Sequence, residues 1–252
     1  MEVGRRRHNV AALLEFDVTA ARERMRQIVA DGGPAVSFTG WLASCVSKVL
    51  GEFPEFNAHR QGRRRVVRFA DVDVMFVVER KFGDRSSPIP FVLRKANELT
   101  VFQISDELRA AQGQGMGAGQ MTAGNQRDAH WLARVPLATR IYPHLPTFIR
   151  AFFWRIVGRH AFLTKRIMGT VGITAVGMFG RFPGWPITTG LHTVNLAVGG
   201  IVRKPVAIAD RVEIREMLAI TLSANHDLID GAPAARLVTR LGELIESGYG
   251  LG

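Results

Sequence analysis

LSANHDLIDGAPAARL, residues 222–237, joins a strand to a helix through a histidine. Upstream, MLAITLSAN (217–225) sets Leu218, Ile220, Leu222 and Ala224 on alternate positions, the period of a strand with one buried face. Downstream, Ala234, Leu237, Val238, Leu241, Leu244 and Ile245 recur at helical spacing behind Pro233, which a first helical turn tolerates. Between them stand His226, Asp230 and Gly231 in the pattern His-x-x-x-Asp-Gly. A strand end holds an imidazole rigidly at a cleft, and imidazole is the usual general base near neutral pH. Asp230 could cap the helix or pair with an arginine. Gly231 would allow a backbone conformation closed to other residues. The same residues also read as a capping turn with an incidental histidine.

Working outward, PVAIADRVEIRE (205–216) and TVNLAVGGIVRK (193–204) read as two further strands, the former turning at Ala209-Asp210. At the other end, VAALLEFD (10–17) alternates as a strand, and Thr19 is placed to cap the helix after it. A second helix is expected from about Thr39 to Phe53, stopped by Pro54, with Cys45 in its apolar stripe as a buried thiol. RQGRRRVVRF (60–69) reads as a basic turn and strand, DVDVMFVV (71–78) as a half-buried strand, PIPFVLRKAN (88–97) as extended and TVFQISDELRAA (100–111) as a helix. Residues 112–125 are glycine-rich, either a flexible loop or an ordered lid. Helices and strands mix along the chain and antiparallel hairpins come late. This pattern predicts an α/β domain with a mixed sheet covered mainly on one face.

The 252 residues suffice for a large core, and 47% hydrophobic with 22% charged residues argues against wholesale disorder. A single cysteine excludes an internal disulfide and fits a reducing, cytoplasmic setting. The start of the chain lacks the apolar core of a secretory signal, and no run of about 18 charge-free apolar residues predicts a spanning helix. A net charge of +11 favours anionic partners. The basic residues are dispersed without a recognition motif, so nucleic acid is not expected. No metal site is expected either.

LSANHDLIDGAPAARLVTRLGELIES resembles the C-terminal signature of the acyltransferase component of 2-oxoacid dehydrogenase complexes. There a strand leads into Asp-His-Arg, two apolar residues, Asp-Gly-Ala and an amphipathic helix. Chloramphenicol acetyltransferase shares the His-x-x-x-Asp-Gly core. GTVGITAVGMFG (169–180), EFPEFNAHR (52–60), PFVLRKANELTVFQI (90–104) and LEFDVTAARERM (14–25) are similar to further segments of the family. The likeness covers roughly residues 8–111 and 169–247. It implies the CoA-dependent acyltransferase (chloramphenicol acetyltransferase-like) fold in one catalytic domain, 1–252, with an extra helical insertion at about 113–168.

The resemblance also implies a chemistry. A histidine base deprotonates the thiol of coenzyme A or dihydrolipoamide, and a hydroxyl from a neighbouring subunit of a homotrimer supports the oxyanion. Carried over, His226 is the base and Thr174 the oxyanion donor. Asp230 is the carboxylate that steadies the loop, with Arg5, Arg6 or Arg7 as its partner by position. Acyl-CoA and coenzyme A are then substrates, and a lipoyl group on a separate protein is a possible acceptor. The trimers could assemble further.

The sequence departs from the family in two ways. Asn225-His226-Asp227 stands for Asp-His-Arg, and no lipoyl domain is recognised ahead of the catalytic part. A non-catalytic trimeric scaffold, or a peripheral membrane protein that kept the fold, therefore remains the alternative. In the insertion, Phe148, Ile149, Phe152, Phe153, Ile156 and Val157 lie among Arg150, Arg155, Arg159, Lys165 and Arg166. Residues 145–167 could lie on an anionic membrane, contact an acyl chain, pack on another copy or cover the sheet. The cluster Arg60, Arg63, Arg64, Arg65 and Arg68 reads as a solvated hairpin.

Overall fold

The computed structural model describes residues 8–62, 64–82, 85–113, 145–177, 183–188 and 190–252, the side chains of 78–82, 85–89, 112 and 113 apart. Arginines 5–7, the glycine-rich run from 114 and the insertion up to 144 lie outside the described residues. Six strands form one mixed sheet: β1 (Asn9–Asp17), β4 (Val74–Phe82), β5 (Arg85–Leu93), β6 (Val171–Ala175), β7 (Val194–Ile208) and β8 (Arg211–Asn225), in the order β1-β8-β7-β6-β4-β5. β6 runs parallel to both β4 and β7, and the other pairings are antiparallel. β2 (Ala58–Gln61) and β3 (Arg65–Arg68) make a separate hairpin.

The three strands expected over 193–225 are two, each of 15 residues, joined at Ala209-Asp210. The turn falls where expected, with Ala209 at φ 51. A long twisted hairpin keeps its backbone bonds along its whole length, so the charged stretch Arg211–Glu216 continues the strand instead of ending it. One register shift, at Gly199-Gly200, interrupts the ladder. The chain after β6 passes very close there: a Cβ on Gly177 would lie 2.0 Å from the Gly199 carbonyl oxygen.

The helices are α1 (Thr19–Ala30), α2 (Phe38–Glu52), α3 (Val101–Gly113), α4 (Thr147–Val157), α5 (Ala161–Met168) and α6 (Gly231–Glu246). α2 is apolar almost all round and accordingly buried, with Trp41, Leu42, Cys45, Val49 and Leu50 inside. Ser37 caps it by accepting from Gly40 N at 3.3 Å. Burial pushes the Cys45 thiol up to about 12, so it stays protonated and inert. α6 lays Leu237, Leu241, Leu244 and Ile245 against the same core. The sheet contributes Val194, Leu196, Val198, Leu218, Ile220 and Leu222 to it.

Thr19 does not cap α1, since it is the first helical residue and the capping position falls on Val18. Asp17 does the work instead. Its carboxylate accepts from Thr19 N at 2.9 Å, Thr19 Oγ1 at 2.6 Å and Arg215 Nε at 2.7 Å. Partial burial raises the Asp17 pKa, but these donors outweigh it and hold the carboxyl below its ordinary range.

α5 is tied to the sheet by a buried ion pair. Arg94 Nη1 meets Asp73 Oδ2 at 2.8 Å and also donates to Lys165 O, while Nη2 donates to Arg166 O at 2.6 Å. One guanidinium thus satisfies a buried carboxylate and the last carbonyls of a helix. Gly169 then turns the chain into β6 at φ +76, where a Cβ would meet the Asp73 carbonyl oxygen at 2.6 Å.

Candidate active site

β8 delivers His226 one residue beyond its last paired position, Asn225, and the turn that follows is fastened from several sides. Asn225 is buried. Its N–H donates to Thr193 O at 2.9 Å and its Oδ1 accepts from Asp227 N at 3.0 Å. The Asn225 carbonyl accepts from Leu228 N and Ile229 N. His226 N donates to His8 O at 2.8 Å. The main chain around His226 is therefore held by its neighbours, while the imidazole is exposed and hydrogen-bonded to none of the described residues. A fixed backbone with an unengaged ring suits a group that must meet a proton from outside.

Asp227 stands where the family has a positive charge, and it is bound. Its carboxylate lies 2.8 Å from His8 Nδ1 and 3.7 Å from Arg60 Nη1. Arg60 thus connects the β2–β3 hairpin to the histidine turn and does not merely point into solvent. The sequence reading missed this contact, although opposite charges at 60 and 227 were its signal. Behind the turn lie two buried histidines. His59 Nε2 donates to Gly169 O at 2.9 Å, and His192 Nε2 pairs with Met168 O at 2.7 Å. They fasten the start of β6 and β7 from beneath.

Asp230 occupies the N-cap position of α6 with extended backbone, but its side chain makes no capping bond. It pairs with no arginine among the described residues, and Arg5, Arg6 and Arg7 lie outside them. Gly231 needs no special backbone, because its φ is not positive and a Cβ would meet nothing within 4 Å. The conformational role expected for this glycine is therefore corrected. It opens α6, where a small residue is tolerated.

Thr174 is not brought to His226. It sits in β6 beside Ala197 of β7, which faces Thr221 of β8. Thr221 and His226 are five residues apart, which along a strand and across two strand spacings gives a separation of about 19 Å. The Thr174 hydroxyl is half-buried and bonded to none of the described residues. A cleft of ≈ 960 Å³ opens at its end of the sheet, reaching Ala175, Gly177, Val198 and Gly199, with Ser37 and Thr39 at the start of α2. Arg22, Arg26 and Arg203 stand on its walls. Arg22 and Arg26 lean on Glu216, at 2.8 and 3.9 Å. A single chain therefore carries an unengaged histidine at one end of the sheet, and a hydroxyl and a cleft at the other.

Residues 166–251 match the family model described as 2-oxoacid dehydrogenases acyltransferase (catalytic domain). The chain is 37% identical over 86 residues to the dihydrolipoyllysine-residue succinyltransferase component of the 2-oxoglutarate dehydrogenase complex of Staphylococcus saprophyticus. That match takes in 34% of this chain and 20% of the relative, so the chain spans about a fifth of that protein's length. Among solved structures, a probable dihydrolipoamide acetyltransferase from Listeria monocytogenes superposes with a TM-score of 0.68 at 18% identity, over 98% of this chain and 88% of that one. The dihydrolipoamide acetyltransferase of Azotobacter vinelandii gives 0.67 at 20% identity, over 96% and 82%. In that protein the role of a serine, a histidine and an asparagine in the catalytic mechanism was investigated. Those three stand at the same separations along their chain as Thr174, His226 and Asp230 here. A chloramphenicol acetyltransferase matches at 0.53 and 14% identity, over 98% and 92%. The fold is the one that the sequence resemblance implied.

Proposed function

We propose that this chain, a member over residues 166–251 of the 2-oxoacid dehydrogenases acyltransferase (catalytic domain) family, moves an acyl group between coenzyme A and a thiol or other small acceptor. His226 takes the proton from the attacking thiol. The thiolate adds to the thioester carbonyl, and Thr174 of a neighbouring copy donates a hydrogen bond to the oxyanion. Collapse breaks the original C–S bond, and the departing thiolate recovers the proton from the imidazolium. A thiol of pKa about 8.5 needs only modest help from an imidazole, and one oxyanion donor is worth roughly 3 kcal/mol.

The observation that carries this reading is the division of the site. His226 is fixed and unengaged, while Thr174 lies about 19 Å away in the same chain by strand spacing. Only a second copy can bring the two together, which supports a homotrimer with shared sites in which 1–252 forms one catalytic domain interrupted at about 113–168. The matching separations in the Azotobacter enzyme support the roles of Thr174, His226 and Asp230. Arg203, exposed at the cleft and in no ion pair with described residues, suits the phosphates of coenzyme A. Asp230, free of a capping bond, is available to an arginine that steadies the loop. A dihydrolipoyl group on a separate protein is the acceptor we favour, in a reducing compartment such as the cytoplasm.

The test is release of free coenzyme A from short- and long-chain acyl-CoAs, with and without dihydrolipoamide, beside His226→Ala. Release that requires both His226 and dihydrolipoamide is the expected result. Release that His226→Ala leaves unchanged would remove the assigned base. No release from any thioester would favour the trimeric scaffold.

A further inference from the structure

α4 presents its apolar side to solvent. Phe148, Phe152, Ile156, Ile149 and Phe153 occupy an arc of about 140° at 100° per residue. All five are exposed, Phe148 at 72% and Phe152 at 63%. The buried residue of this helix, Val157, and the half-buried Arg150, Ala151 and Trp154 lie on the other side. Among the described residues α4 does not cover the sheet. Phe162 of α5 adds a sixth exposed apolar side chain and a fourth exposed ring, at 67%. A continuous apolar arc turned outward marks a surface that meets something apolar.

Charge narrows the choice of partner. Residues 145–168 contain Arg150, Arg155, Arg159, Lys165 and Arg166 and neither aspartate nor glutamate. Arg155 and Arg150 stand about 20° and 60° beyond the two edges of the arc. Arg155 and Arg159 are exposed and in no ion pair with described residues. The β2–β3 hairpin is docked beside them: Gly62 N donates to Arg159 O at 2.7 Å and Gln61 Oε1 accepts from Ala161 N at 2.6 Å. Exposed Arg64 and Arg65 lie in the hairpin itself, before β3 and at its first residue.

We propose that α4, with the hairpin at its end, is a docking face for an anionic lipid surface. The rings enter the boundary between headgroups and acyl chains, and the flanking guanidiniums reach the phosphates. Hydrocarbon and negative charge side by side are what this face complements, and a lipid surface offers both. The helix lies on the membrane. Eleven residues span about 16 Å, roughly half the hydrocarbon thickness, and no described helix is long and apolar enough to cross.

The full chain is to be floated with vesicles of phosphatidylcholine alone and of phosphatidylcholine mixed with phosphatidylserine. Two variants accompany it, Phe148→Ser/Phe152→Ser and Arg155→Ala/Arg159→Ala, with circular dichroism to confirm folding and analytical ultracentrifugation for mass. Partition into the anionic vesicles is expected, weakening with salt. It should fall at least tenfold in the phenylalanine variant and about fivefold for each arginine removed. Equal partition into both lipids, no partition into the anionic one, or indifference to both variants would overturn the proposal. So would a phenylalanine variant of smaller oligomer mass, which would make the face a contact between copies.

Discussion

If each catalytic site is shared between copies, two dead variants should repair one another. His226→Ala removes the base, and Thr174→Ala removes the oxyanion donor at a cost of about 10²–10³ in rate. A site needs an intact histidine from one copy and an intact threonine from the next. In trimers mixed at random from equal amounts, the histidine is intact in half the chains and the threonine in the other half. About one quarter of all sites then recover both groups, which is one site in three in every trimer that contains both variants. The two variants are co-expressed with different tags, purified through both, and assayed for coenzyme A release beside each homotrimer. Recovery to about a third of the native rate, against residual rates of about a hundredth or less, is the expected outcome. Were the mixed protein as inactive as its parents, the two groups would have to act within one chain. The strand arithmetic that keeps them about 19 Å apart would then be refuted.

The Arg60–Asp227 contact is partly exposed and worth at most about 1 kcal/mol. Arg60→Glu should lower the transfer rate several-fold by loosening the turn, and Arg60→Glu with Asp227→Arg should restore most of it. Failure of that rescue in a rate assay would leave the pair without a positioning role. Asp17, whose pKa is lowered on folding, stabilises the protein above the unfolded carboxyl value of 3.8 and loses that contribution as pH falls through its folded value. Asp17→Asn should therefore cost about 1–3 kcal/mol at neutral pH in urea unfolding and progressively less under acid. The Cys45 thiol, raised to about 12 and fully buried, should resist a thiol-modifying reagent at pH 8 until denaturant is added, and rapid labelling of the native protein would contradict its placement.

The residue order alone determined those features whose causes lie within a few positions of one another. The alternation of Leu218, Ile220, Leu222 and Ala224, followed by the helical stripe from Ala234 to Ile245, placed His226 at a strand end because both periods are local. The same holds for the turn at Ala209-Asp210 and the burial of Cys45 within α2. Capping went astray by two residues, because Thr19 and Asp17 are both capable groups and the choice was made by Arg215, almost two hundred residues away. Only the tertiary structure decided what depends on register across the sheet. The insertion of β7 between β6 and β8 sets Thr174 opposite Thr221 and so keeps it from His226. Arg60 meets Asp227, and Arg94 closes the end of α5, through approaches that no sequence period encodes. The stripe of α4 was visible in its residues, but the side that faces outward was settled by packing at Val157. Periodicity records which side chains share a face, and the neighbour that each face meets is set by the long-range pairing of strands and charges.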